Sequence, residues 1–198
     1  MKPMIVPAAL AMCLAACSAN NESPAQGGPD AQTVENPAPA AVKPAPAGSS
    51  QPKDDQILSL EGLGDLRIGK PVQEGSTWAA RGAQVPGSDC RTISSPDWPG
   101  VYAIVEDGAV RRITVGQRSD VKLVEAIGIG ASEADVKAAF PGFREEPHKY
   151  EASPAKYLTT PGAERGGSAL RFEIDGNGKV GLIHVGTMPV LGYVEGCA

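Results

Sequence analysis

Residues 127–143 read Ile-Gly-Ile-Gly-Ala-Ser-Glu-Ala-Asp-Val-Lys-Ala-Ala-Phe-Pro-Gly-Phe, a glycine turn followed by one short helical pattern. Ser132 is placed to cap the helix N-terminus, and the acidic residues that follow it suit the positive end of the helix dipole. Apolar residues at i, i+3 and i+4 from Val136 form one stripe, and Pro141 ends the pattern. Because a helix this short is not stable alone, the segment predicts a sheet on which the helix packs.

Two β-hairpins are predicted from turn signals between β-branched runs. Asp107-Gly108 separates two such runs within residues 102–115, and the turn Asp175–Gly178 separates two within residues 169–185. Pairs of this kind favour tight hairpin turns. His184 alternates with apolar neighbours, so it is expected to face solvent or a partner. Alternation in the second hairpin predicts a buried face made of Leu170, Phe172 and Ile174.

These elements predict an α+β fold, an antiparallel sheet with one or two short helices packed on it. Residues 66–72 begin like the helical segment, and Val110–Gly116 matches Val180–Gly186 in Val, Ile, Val and Gly at the same offsets. Such similarity is typical of a tandem repeat of one helix-plus-hairpin unit, here residues 60–117 and 123–187. Exposed hairpins also resemble one another by chance, so both interpretations stay open.

Residues 129–142, Ile-Gly-Ala-Ser-Glu-Ala-Asp-Val-Lys-Ala-Ala-Phe-Pro-Gly, resemble the glycine-turn-helix motif of two related groups. One is the small outer-membrane assembly lipoproteins of the BamE/SmpA-OmlA type, and the other is the β-lactamase-inhibitor-protein fold. The domain also resembles uncharacterised bacterial lipoproteins that end in a Tyr-Val-Glu-Gly-Cys-like tail. The resemblance implies a helix on an antiparallel sheet and a protein-binding role, and it carries over no catalytic residue.

The N-terminal segment is typical of an exported lipoprotein. Residues 1–16 form an apolar stretch that is too short to span a bilayer and fits the h-region of a secretory signal. The stretch runs into Leu14-Ala-Ala-Cys17, which resembles the bacterial lipobox, so Cys17 is expected to be lipidated. The alternative is an ordinary signal with a chance cysteine. In that family Ser18 goes with the outer membrane, which implies a lipid-anchored domain on the periplasmic face.

Residues 17–55 are predicted to be a disordered tether. Seven prolines and no aromatic residue lie between Ser18 and Lys53, a composition that cannot form a core. Pro-Ala pairs in this segment favour extended conformations and a semi-rigid spacer. Residues 56–198 then form the globular domain, which is long enough for a sizeable core.

Charge and motifs exclude several classes of ligand. The formal charge of the whole chain is −5 and Arg111-Arg112 is its only basic pair, which argues against a nucleic acid partner. The pattern Gly128-x-Gly130 lacks the third glycine of a dinucleotide-binding fingerprint, and the turn at Asp175 lacks the later ligands of a calcium loop. No cofactor and no metal are therefore expected.

Four cysteines have separate expected fates. Cys13 lies in the signal segment and Cys17 is the expected lipidation site. Cys90 and Cys197 remain as an even pair in an oxidising compartment, and this predicts a disulfide between them. With two histidines in the chain and no Cys-x-x-Cys pattern, a metal site is disfavoured.

Three classes of function stay open. The favoured one is a non-enzymatic module that binds another envelope protein, for assembly or inhibition, with Trp98, His148 and Tyr150 as candidate contact residues. The second is an envelope hydrolase that uses His148 as a base with a distant serine. The third is a structural component of the cell envelope. No catalytic residue is assigned, because neither Gly-x-Ser-x-Gly nor His-Glu-x-x-His occurs.

Overall fold

The computed structural model describes residues 56–197. The predicted signal segment 1–16, the lipidation site Cys17 and the tether 17–55 lie outside the described residues and stay predictions. Strands in the described range are, in chain order, β1 (Ile57–Leu58), β2 (Gly62–Leu63), β3 (Leu66–Arg67), β4 (Ala79–Ala80), β5 (Arg91–Ser94), β6 (Val101–Glu106), β7 (Ala109–Val115), β8 (Lys122–Leu123), β9 (Arg144–Pro147), β10 (Lys156–Thr159), β11 (Ala169–Ile174) and β12 (Val180–Gly186).

One antiparallel sheet of eight strands, in the order β4-β5-β6-β7-β12-β11-β10-β9, forms the body of the domain. Two small pairs lie beside it: β1 with β8 in parallel, and β2 with β3 antiparallel. Hairpins join β6 to β7 and β11 to β12, which confirms both predicted turns.

The predicted α+β class is wrong, because the described residues are mostly β and contain a single α-helix, α1 (Glu133–Ala139). The helix-plus-hairpin unit expected over residues 60–117 lacks its helix. Gly69 and Gly75 there have φ of 76° and 77°, a left-handed conformation that interrupts a helix. Pro71, between them, removes a backbone donor as well.

The strands nevertheless form two groups with the same internal pairing. In the first group (β4 to β7) a β-bulge lies between Ile104 and Val105, and in the second (β9 to β12) one lies between Glu173 and Ile174. The groups meet where β7 pairs with β12, and Thr114 lies directly opposite His184 there. The order of pairing is therefore symmetric about the Thr114–His184 pair, while a duplication of the chain stays a prediction.

The first face of the sheet, the covered face, packs against α1 and the small strand pairs. Its largest buried side chains include Phe172, Ile113 and Ile183, each 1% exposed or less. Leu170 and Ile174 are buried with Phe172, as the alternation predicted. Val136 is the fully buried residue of α1 and joins the same core.

The predicted helix cap is confirmed. The Ser132 hydroxyl accepts the backbone N–H of Asp135 at 3.1 Å, and the Asp135 carboxylate accepts the backbone N–H of Ser132 at 3.1 Å. This reciprocal arrangement satisfies two donors that the first helical turn leaves free. The cap therefore fixes where α1 begins, beside the turn between β11 and β12.

The opposite face of the sheet is crossed at one end by the C-terminal segment, residues 187–197. A 3₁₀ turn at Val190–Gly192 begins its path, and the predicted disulfide between Cys90 and Cys197 ends it, with Cα atoms 5.5 Å apart. The disulfide joins the start of β5 to the end of the described chain. Among the described helices, none is long and apolar enough to cross a membrane.

Candidate functional site

The part of the second face that the C-terminal segment leaves uncovered, here called the open face, holds a polar groove. Because side chains alternate along a strand, the neighbours of buried Phe172 and Ile183 point to this side. The groove has a volume of about 410 Å³. Its lining includes side chains from both strand groups and from the loops beside them: Arg81, Tyr102, Arg118, His148, Glu173 and Leu182.

Glu173, on β11, is the carboxylate at the floor of the groove, with 19% of its side chain exposed. Its Oε1 lies 3.0 Å from His184 Nε2 and its Oε2 lies 3.4 Å from His148 Nε2. On the far side of His184, Nδ1 lies 2.9 Å from the hydroxyl of Thr114. The two strand groups are thus linked, at their seam, by a chain of four polar side chains.

Hydrogen bonds fix which nitrogen of each histidine carries the proton. His148 Nδ1 accepts the backbone N–H groups of Tyr150, at 3.2 Å, and Glu151, at 3.0 Å, so Nε2 is the donor to Glu173. His184 is 2% exposed, and burial foremost lowers its pKa, so its ring is neutral near pH 7. Its Nε2–H then donates to Glu173 and its Nδ1 accepts from Thr114.

Glu173 keeps its negative charge in this setting. Burial, the largest single effect, acts to raise the pKa of the carboxyl, but the hydrogen bonds that His184 and His148 donate to it outweigh that effect. The net result is a pKa below the ordinary value of 4.5. A partly buried carboxylate therefore faces the groove, and its direct partners among the described residues are two imidazoles.

Two buried arginines flank this network on the same face. The Arg171 guanidinium lies 4.0 Å from the centre of the Tyr157 ring and donates to the Glu146 carboxylate at 3.2 Å. Arg112, 2% exposed, donates to the carbonyl oxygens of Val190 and Tyr193, and burial lowers its pKa. Because hydrogen bonds from a charged donor are stronger than neutral ones, Arg112 holds the C-terminal segment on the sheet.

The structure brings together two of the three predicted contact residues. His148 lines the groove and stacks on Tyr157, with ring centroids 4.7 Å apart. Tyr150 lies two residues further along the chain and is 61% exposed. Its hydroxyl donates a hydrogen bond to the Glu195 carboxylate of the C-terminal segment. Trp98 lies elsewhere: its half-buried ring packs at the edge of the covered-face core and lines a separate cavity.

The expectation that His184 faces solvent or a partner is wrong. Alternation correctly placed its side chain on the other face of the sheet from the apolar side chains. Where β7 pairs with β12, however, that face is occupied by Thr114, Glu173 and the two arginines. A polar side chain that finds such partners is buried without loss of hydrogen bonds. Sequence reasoning also missed Glu173, although charged residues at alternate positions between Leu170 and Ile174 were the available signal.

The network is poorly suited to catalysis. Both ring nitrogens of His148 are engaged, one by two backbone donors and the other by Glu173, so no nitrogen is left to accept a proton from a substrate. The Thr114 hydroxyl beside His184 is 0% exposed and is no accessible nucleophile. Within residues 56–197 no group of three or more His, Cys, Asp or Glu side chains is arranged to hold a metal ion.

Acidification is expected to destabilise the fold through His184. Because its pKa is lowered in the folded state, the unfolded chain binds a proton below the ordinary value of 6.5 that the folded chain does not. The free energy of unfolding then falls as the pH drops below 6.5, by up to about 1.4 kcal/mol per pH unit from this residue. Glu173 adds a similar loss at lower pH, where its carboxylate is protonated.

Urea unfolding at a series of pH values measures this dependence. The chain has two histidines, so the variant His184→Gln removes half of the groups that ordinarily titrate near pH 6.5. It should lower stability at neutral pH and flatten the slope between about pH 6.5 and pH 5. An unchanged slope in His184→Gln would show that the ring is not held neutral.

No protein-family model, no curated protein and no solved structure matches this chain. The geometry of the open face is therefore what bears on function.

Proposed function

We propose that this chain is a lipoprotein anchored at the periplasmic face of the outer membrane, and that its domain is a non-enzymatic module that binds another envelope protein. The open face of the sheet, with His148 and Tyr150 at its margin, is the binding surface. Membrane attachment is through lipid on Cys17, and the tether 17–55 lets the domain reach its partner. Assembly and inhibition of the partner both fit a module of this kind.

The observation that carries the proposal is the groove itself. One face of an antiparallel sheet is often solvated, so it is the concave shape of this face that indicates a binding surface. Here the C-terminal segment covers only one end, and the remainder forms a depression of about 410 Å³ over the centre of the sheet. A floor of paired strands is rigid, so binding costs little ordering of the site.

The lining has the residue types that contribute most to protein interfaces. Tyr102 and Leu182 are half-buried within the groove, and Arg81 lies with its guanidinium 5.7 Å from the centre of the Tyr102 ring. Tyrosine and arginine are enriched among residues that dominate binding energy. The resemblance of residues 129–142 to protein-binding families supports the same class of function.

Filling the groove tests the surface. A side chain at Gly181 has room, since an added Cβ there would meet only the Glu173 carbonyl oxygen, at 3.7 Å. Gly181→Tyr is expected to place a ring in the groove and to abolish capture of the partner from envelope extracts by an immobilised, soluble Cys17→Ser chain. Gly176→Tyr is the matched control, because Gly176 lies in the same hairpin but outside the groove, and a Cβ added there would meet nothing within 4 Å.

Equal capture by the two tyrosine variants would refute the proposed surface. Turnover of an envelope substrate by the purified domain, lost in His148→Ala, would replace the binding function with the hydrolase alternative. The anchor has its own test, mass spectrometry of the chain from the membrane fraction. An N-terminus other than a lipidated Cys17 would remove that part of the proposal.

A further inference from the structure

The groove carries opposite charge at its two ends. In the order of the sheet, Arg81 and Arg118 lie on the side of the first strand group, with Tyr102 of β6. Glu173 of β11 and Glu151, next to His148, lie on the side of the second group. The groove is therefore cationic at one end and anionic at the other, with the apolar side chain of Leu182 between them.

These charges have few partners of their own. Among the described residues, Arg81, Arg118 and Glu151 form no salt bridge, and Glu173 pairs only with His148 and His184. Each carboxylate oxygen of Glu173 accepts one imidazole N–H, while an ionised carboxylate offers about four acceptor sites. Glu173 thus keeps acceptor capacity that faces the groove. Likewise, the two arginines keep hydrogen-bond donors that face it.

The distance between the ends sets the size of a matching ligand. Tyr102 on β6 and Glu173 on β11 are separated by β7 and β12, and three strand spacings of about 4.8 Å give roughly 14 Å. An extended chain advances about 3.3 Å per residue, so four residues span the groove. Side chains at i and i+4 of that chain point to the same side.

We propose that the groove binds an extended loop of the partner protein that presents a basic side chain to Glu173 and Glu151 and an acidic side chain, four residues away, to Arg81 and Arg118. This inference rests on the proposed function and names the chemistry of the partner. The partly buried Glu173 end supplies most of the discrimination, because a charge pair shielded from water is stronger than one at an exposed rim. Exposed Arg81 and Arg118 steer the loop and fix its direction.

A synthetic peptide tests the charge pattern without the partner. The probe is acetyl-Arg-Gly-Ser-Gly-Glu-amide, titrated into the isotope-labelled soluble Cys17→Ser chain while the backbone amides of Gly116 and Gly181, which line the groove, are followed by NMR. Binding is expected with Kd on the order of 1 mM. Replacing the peptide arginine by glutamine should weaken binding about tenfold and replacing its glutamate about threefold, with both effects reduced by salt.

Substitutions of the charged groove residues show which of them pairs with each charged side chain of the peptide. Glu151→Gln and Arg118→Gln change exposed side chains and are expected to fold normally, whereas Glu173→Gln also alters the histidine network. Glu151→Gln should weaken binding of the original peptide severalfold. It should leave binding of the peptide in which glutamine replaces arginine unaffected, which only a direct pairing of Glu151 with the peptide arginine explains. Glu74→Gln is the control, an exposed carboxylate outside the groove.

Different results refute the proposed charge pattern and the proposed function. If Gly181→Tyr abolishes partner capture while Glu151→Gln, Arg118→Gln and Glu173→Gln all retain it, the surface stands and the charge pattern is refuted. Equal affinity for the three peptides, or no shift of groove amides at about 10 mM peptide, also refutes the charge pattern. Loss of binding in Glu74→Gln equal to that in Glu151→Gln would do the same, since it would mark a nonspecific charge effect.

Discussion

Replacing Cys90 and Cys197 together by serine is expected to lower the free energy of unfolding by about 4–5 kcal/mol. The disulfide closes a loop with a sequence separation of 107 residues, so it removes much conformational entropy from the unfolded chain. The two residues also hold the C-terminal segment over buried Arg112, whose guanidinium bonds two carbonyls of that segment. Without the crosslink the segment is held by those bonds, by the hydrogen bond between Tyr150 and Glu195 and by the packing of Val190 and Leu191.

Urea unfolding with and without a phosphine reductant provides the measurement and its control. Reduction should destabilise the natural chain by a similar amount and leave the double serine variant unchanged. Hydrogen exchange of the Tyr193 amide, which donates to the Val190 carbonyl at 3.1 Å, should speed up in the variant. A loss below about 1 kcal/mol would show that the crosslink does not constrain the unfolded chain as described.

Phe172→Ala is expected to cost about 3–5 kcal/mol of folding free energy. Phe172 is 0% exposed on the covered face, and its ring centroid lies 5.5 Å from that of Phe140 and 6.1 Å from that of Phe143. The truncation removes the contact of β11 with Phe140, the C-cap of α1, and with Phe143, and it leaves a cavity that a rigid sheet cannot close. Phe172→Leu should cost clearly less, because it keeps most of the volume.

Phe143→Ala is the matched control, because it is the same substitution at a different position. Its ring is half-buried at the rim of the same cluster, where neighbours and water can fill the space. Equilibrium unfolding of the three variants should give the order Phe172→Ala, then Phe143→Ala, then Phe172→Leu or a tie between the last two. If Phe143→Ala is the most destabilising, the core is not centred on β11.

Local chemistry explains what the sequence predicted well. The turn at Asp107-Gly108, the Ser132 cap and the alternation around Phe172 each depend on a few neighbouring residues. The Cys90–Cys197 pair followed from elimination in a chain with few cysteines. The pairing of β7 with β12 depends on residues about 70 positions apart, such as Thr114 and His184, and no local signal specifies such a contact.

The wrong fold class has a local cause as well. One helical segment and a weaker likeness at residues 66–72 suggested two helices, but left-handed glycines at Gly69 and Gly75 prevent the first. The site was harder still to predict. Alternation shows which side of a strand a residue takes, as for His184 and Glu173, but not whether that side is open, bridged by partners or crossed by a distant segment.

Site-specific photo-crosslinking in cells that make the full chain tests the central claim most directly. A benzophenone amino acid replaces Leu182, within the groove, or Leu60, which is 46% exposed and lines a separate cavity. If the open face binds the partner, illumination gives one discrete protein adduct from position 182 and none from position 60. An adduct from position 60 with none from position 182 would contradict the proposal, because the partner would then bind away from the open face.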